Sequence, residues 1–201
     1  MDIQMSQEVQ LRIEKFRADL NLPTIAIIRK HIIFGDCWAF NNEKYFDLKS
    51  EVADHFKIHP NEVLVVGSAR LGFSIAPRKR YRPFGDTSDI DIAIVSPSLF
   101  DRVWTEALEC KDSNGYFWTA QEKSSFQDYL FRGWIRPDKL PYASNFTMRE
   151  DWKEFFRVLT SKGKYGIYSL AAGLYKSWYH IEYYQSKCVR QCKQELTIGR
   201  E

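Results

Sequence analysis

The sequence predicts an α/β (α+β) domain in which helices flank one small mixed β-sheet. Three observations carry that expectation. Val63-Leu64-Val65-Val66 is a short apolar run, mostly β-branched, stopped by Gly67-Ser68, as in a buried strand entering a tight turn. Asp89-Ile90-Asp91-Ile92-Ala93-Ile94-Val95 reads as a second strand. Stretches of helical apolar spacing precede, separate and follow the two, and alternation of this kind implies one sheet with helical cover.

Taken in order, Val9, Ile13, Phe16 and Leu20 mark a first helix that Pro23 breaks. Residues 25–34 (IAIIRKHIIF) are apolar with a basic interruption, and the pattern allows a strand or a short buried helix. Tyr45, Leu48, Val52 and Phe56 mark a helix over 43–56, with Pro60 beyond its end. Residues 69–88 hold two prolines and two glycines and read as a loop. Leu99, Phe100, Val103, Trp104, Ala107 and Leu108 mark a helix after Pro97, and residues 111–146 read as aromatic and irregular. Thr147-Met148-Arg149-Glu150 fits a capping box that opens a helix to about Leu159. A third strand is expected from Tyr165 to Ala172, and a long helix over about 174–195. We expect one domain over 1–201, with a core of about 43–172, an N-terminal helical extension over 1–42 and the C-terminal helix.

Composition excludes several classes. The 201 residues carry 29 Lys and Arg against 26 Asp and Glu, a net charge of +3, with a pI near 8.6. That balance excludes a protein built on one strongly charged face but not a local basic patch. At 44% hydrophobic and 15% aromatic, the chain is not a disordered one. No run approaches the roughly 18 apolar residues of a membrane span, and the polar N-terminus does not read as a secretory signal. Four scattered cysteines, Cys37, Cys110, Cys188 and Cys192, point to reduced thiols and a cytoplasmic location, with no membrane partner.

The near-neutral total hides a local separation. Arg70, Arg78, Lys79, Arg80 and Arg82 fall in one segment without an acid, and Ser88-Asp89-Ile90-Asp91 follows. Side chains alternate along a strand, so Asp89 and Asp91 point one way and Ile90, Ile92 and Ile94 the other. Two carboxylates roughly 7 Å apart at Cα suit a shared hard cation such as Mg²⁺, or Mn²⁺, which prefers carboxylate and phosphate oxygens. Gly67 lets backbone approach a phosphate, Ser68 offers a hydroxyl, and the cations can neutralise a triphosphate.

VVGSARLGFSI followed by GDTSDIDIAIV resembles the DNA polymerase β-type nucleotidyltransferase superfamily, over about residues 62–96. The resemblance implies that Asp89 and Asp91 are the catalytic, metal-holding acids. Gly67 and Ser68 would contact the nucleotide, and Arg70 and Ser88 are further nucleotide-binding candidates. It implies transfer of a nucleoside monophosphate from an NTP to a hydroxyl acceptor (nucleotide, nucleic acid or protein) with release of pyrophosphate. Larger relatives hold the acceptor with an added helical domain, so here a partner protein or a second copy is expected to take part. A bacterial antiviral-defence or toxin–antitoxin setting is the context the resemblance implies.

Two departures stand out. Twenty residues separate Ser68 from Asp89, more than in minimal relatives. The strand expected at 165–172 carries no acid where relatives place a third carboxylate, which leaves Asp128, Asp138, Asp151 and Glu182 as candidates. A degenerate nucleotide-binding or antitoxin-like protein-binding module is therefore the alternative to an enzyme. A plain RNA- or DNA-binding protein is a third reading. It would use the basic loop and the aromatic last helix, where Tyr175, Trp178, Tyr179, Tyr183 and Tyr184 form a stripe that otherwise suits a core or an oligomer face. His55 and His59 are expected to share no metal, and Cys188 and Cys192 to be ordinary thiols.

Overall fold

The computed structural model describes residues 3–114, 119–140 and 147–198. Four strands, β1 (Val63–Val66), β2 (Ile90–Val95), β3 (Trp134–Ile135) and β4 (Leu170–Tyr175), form one sheet in the order β1-β2-β4-β3. β1 runs antiparallel to β2, β2 parallel to β4, and β3 antiparallel to β4. The sheet is thus mixed, as expected.

Helices cover both faces. One face presents Val63, Val65, Ile90, Ile92, Ile94, Leu170 and Leu174 to α3 (Asn42–Phe56), α5 (Pro97–Asn114) and α7 (Thr147–Ser161). The other presents Leu64, Val66, Ala93, Val95 and Tyr175 to α1 (Ile3–Ala18), α2 (Thr24–Ile28) and α8 (Trp178–Ile198). The expected apolar stripe is the packed one: Val9, Ile13 and Phe16 on α1, and Leu20 in the 3₁₀ turn that follows it, are all buried. The N-terminal helices therefore supply one layer of the core.

Several local readings change. Residues 25–34 are helical: α2 runs into a π-helical turn, Arg29–Ile33, with Ile27, Ile28 and Ile32 buried. The third strand lies at Leu170–Tyr175, not 165–172. The physical reason is a turn closed by Gly166 N–H on the Gly163 carbonyl at 3.0 Å, from within which the Tyr165 ring enters the core beside Phe40. That shift starts α8 at Trp178, not 174. β2 begins at Ile90, so Asp89 sits just before it. α4 (Gly67–Leu71) runs into the 69–88 segment, which also holds a 3₁₀ turn at Pro77–Lys79.

The largest omission is α6 (Ala120–Phe131), followed by β3, inside a stretch that reads as irregular. A signal was there. Thr119 and Glu122 form a full capping box, in which the Thr119 hydroxyl accepts from Glu122 N–H and Glu122 accepts from Thr119 N–H. The box expected at Thr147 is not the cap that forms: the Glu106 carboxylate of α5 accepts from Met148 N–H and the Thr147 hydroxyl.

A cleft around Asp89 and Asp91

Asp91 lies on the sheet face shared with Ala93 and Val95, at the second position of β2, and is the exposed residue of that strand. The alternating isoleucines Ile90, Ile92 and Ile94 are buried at 0–2% exposure on the opposite face. The predicted division of this strand into an acid face and a core face is what the chain adopts. Asp89, Asp91, Gly67, Ser68 and Ser88 all line one cleft of about 650 Å³. Arg78, Lys79 and Arg82 line it as well.

Gly67 is placed by its own geometry. Its φ is +67°, and a Cβ there would stand 3.2 Å from Asp91 Oδ2. β1 pairs Val66 with Asp91, which brings the turn against the acid. Gly67→Ala is therefore strained in backbone and crowded against the carboxylate. We expect it to cost about 1–2 kcal/mol of stability. It should also weaken ligand binding in the cleft, read by thermal melts and calorimetry on one preparation. A variant as stable as wild type would contradict the geometry.

The electrostatics of Asp91 are those of a crowded acid. It is open to the cleft, yet the surrounding protein desolvates it, and the Asp89 charge adds repulsion. Both push its pKa above the ordinary 3.8, against opposing attraction from Arg136 and Lys79. Arg136 is held in place by Asp138, which accepts from both Nε and Nη2 at 2.8 Å. Sequence reasoning missed Arg136, because β3 was not anticipated.

The cation-rich segment divides. Arg78 and Lys79 are exposed in the cleft lining, and Arg82 donates to Thr87 Oγ1 at 2.8 Å. Arg80 instead pairs with Glu195 and donates to Cys192 Sγ, which ties the loop to α8. Arg70, expected to bind nucleotide, is corrected by its position: it is buried at 3% exposure and is not in the cleft lining. Its guanidinium donates to the Ile33 carbonyl at 2.8 Å and to the Tyr45 hydroxyl at 3.2 Å. The cause is α4, whose short helical turn puts Arg70 on the side facing α3. Ser88 lines the cleft and also accepts from Gly85 N–H, closing the turn before β2.

The four candidates for a third carboxylate are engaged elsewhere. Asp128 pairs with Arg132, Asp138 with Arg136, Asp151 with His55, and Glu182 with Arg29. Opposite Asp91 in the parallel register stands Ala171, on the same face. One step further along that face is Gly173, where a Cβ would lie 2.6 Å from Trp134 Nε1. An acid at Gly173 would collide with the indole. No group of three or more His, Cys, Asp or Glu side chains gathers among the described residues.

His55 stacks on Phe155, while His59 caps the Pro60–Glu62 turn. No described helix is long and apolar enough to cross a membrane. No protein-family model, curated protein or solved structure matches the chain.

Proposed function

We propose that this protein binds a nucleoside triphosphate in the cleft and transfers its nucleoside monophosphate to a hydroxyl acceptor. The observation that supports this best is the meeting of unlike parts in one cavity. Two carboxylates, a glycine turn pressed against one of them, serine hydroxyls and four cationic side chains share the lining. Each part alone is common, but together they suit a triphosphate and a hard cation.

The donor set fits Mg²⁺ or Mn²⁺ held by Asp89 and Asp91: both groups are oxygen donors, and while burial is the main cause that raises the Asp91 pKa, the added repulsion from Asp89 is what a cation relieves. When bound, such a cation neutralises phosphate charge and polarises the reacting phosphoryl group. Ser68 donates its hydroxyl to a phosphate oxygen. Arg78, Lys79 and Arg82 hold the triphosphate charge, and Arg136, fixed by Asp138, adds a positioned cation beside Asp91. The acceptor oxygen bonds to the α-phosphorus, the bond to the β-phosphate oxygen breaks, pyrophosphate leaves, and the acceptor proton passes to water.

The test is pyrophosphate release from each NTP with Mg²⁺ or Mn²⁺, comparing wild type with Asp89→Ala/Asp91→Ala. Release by wild type alone supports the reading, and equal release or none from either protein sinks it. Ala171 beside Asp91 favours a second reading, a module that binds nucleotide without transferring it. Calorimetry separates the two, since tight NTP binding that ignores metal and gives no pyrophosphate belongs to the second.

A further inference from the structure

A second groove, of about 830 Å³, opens beside the cleft between α6 and α8. Pro77, Trp134, Tyr184 and Cys188 line both cavities, so the two are immediate neighbours. Its wall is aromatic and basic. Tyr129 and Tyr184 flank Trp134, with ring centroids 4.6 and 5.0 Å away. Tyr183 is half exposed, and its ring lies nearly parallel to that of the still more exposed Tyr179, at 21° and 6.4 Å. Lys187 and Arg190 are exposed and form no ion pair among the described residues. The one acid in the lining, Asp128, is taken by Arg132.

We propose that this groove binds single-stranded nucleic acid and delivers its terminal hydroxyl to the cleft. Aromatic faces accept any base by stacking, while Lys187 and Arg190 carry phosphates. Arg78 and Lys79 extend the positive lining into the cleft, which favours an anionic strand crossing from one cavity to the other over a neutral or basic peptide. The acceptor role rests on the transfer reading, but the binding itself does not.

The experiment uses the full chain carrying Asp89→Asn/Asp91→Asn without NTP, so that binding is measured apart from chemistry. Fluorescence anisotropy would follow labelled 12-mers of uridine and of thymidine, with a 12-base-pair duplex as control. Either single strand should bind more tightly than the duplex. Tyr183→Ala should weaken binding about tenfold, while Tyr183→Phe retains it. Lys187→Ala/Arg190→Ala should flatten the slope of log affinity against log salt by about 1 to 1.5. Binding by neither strand, equal binding of the duplex, or no effect of these variants would overturn the proposal. So would a wild-type dimer that Tyr183→Ala dissociates, because the groove would then be a subunit contact. Strand binding without pyrophosphate release sinks the transfer reading and leaves the groove standing. Release without strand binding does the reverse.

Discussion

Asp91→Asn is expected to lower NTP-dependent pyrophosphate release by about 10³-fold or more and, in metal-free buffer at neutral pH, to raise Tm. Removing a ligand to a phosphoryl-transfer cation forfeits several kcal/mol of transition-state stabilisation, and about 1.4 kcal/mol is tenfold in rate. The stability gain has a separate cause. Asp91 is desolvated and faces the Asp89 charge, so its folded-state pKa lies above the ordinary 3.8. A carboxyl with a raised folded pKa stabilises the fold while protonated. That contribution is complete below the unfolded value near 3.8 and is lost as pH rises through the higher folded value. At neutral pH wild type has lost it, whereas the neutral amide of the variant carries no such charge. The Tm difference should accordingly shrink as pH falls toward 4. Mg²⁺ should raise the Tm of wild type, by about 2.7 kcal/mol of added stability at 100 times its Kd, and leave Asp91→Asn nearly unmoved. Melts across pH, with and without Mg²⁺, check every part. A variant less stable than wild type at all pH values would mean that the carboxylate is held by favourable contacts and not strained by its neighbours.

What was legible in the sequence followed from local patterns. β1, the turn at Gly67 and β2 were readable because β-branched residues, a glycine stop and strict alternation act over a few residues. The acid face of β2 came from the same alternation, and Asp89, Asp91, Gly67, Ser68 and Ser88 do meet in one cleft. What failed depended on partners distant in sequence. Ala171 stands beside Asp91 through a parallel pairing across 80 residues, which no local pattern encodes. Arg136 reaches the cleft through β3, a strand of two residues, too short to leave a periodicity. The basic segment looked uniform as a string, yet Arg80 turns to Glu195 on α8 while Arg78 and Lys79 face the cleft. Charge along the chain says how many cations are present, and tertiary packing decides which of them meet a ligand. α6 is a different case, because its Thr119–Glu122 capping signature was in the sequence and only the surrounding aromatics obscured it.

Arg70→Ala should then act on folding and leave the nucleotide almost untouched. The Arg70 side chain bridges layers: Nη2 bonds the Ile33 carbonyl of the N-terminal turn, and Nη1 bonds the Tyr45 hydroxyl on α3. That hydroxyl also accepts from Val65 N–H of β1, and the guanidinium lies 5.5 Å over the Tyr45 ring. Among the described residues no carboxylate pairs with it, and its Nε is buried without a partner. The arginine has therefore given up hydration for two hydrogen bonds and a ring face. Truncation removes those bonds, takes the side-chain donor from the Ile33 carbonyl and opens a void the length of the side chain. Losses of this kind come to about 2–4 kcal/mol. For a chain of this size that lowers Tm by about 5–15 °C. NTP affinity, measured well below the new Tm, should change less than threefold. Arg70→Met keeps most of the volume without burying a charge, so it should recover much of the lost stability. A large loss of NTP affinity in a variant that melts like wild type would return Arg70 to the proposed phosphate site. Because Trp38 and Ala39 donate their amides to the carbonyls of Arg70 and Ala69, α4 is also held through its backbone, and the Gly67 turn should keep its place against Asp91 when the side chain is gone.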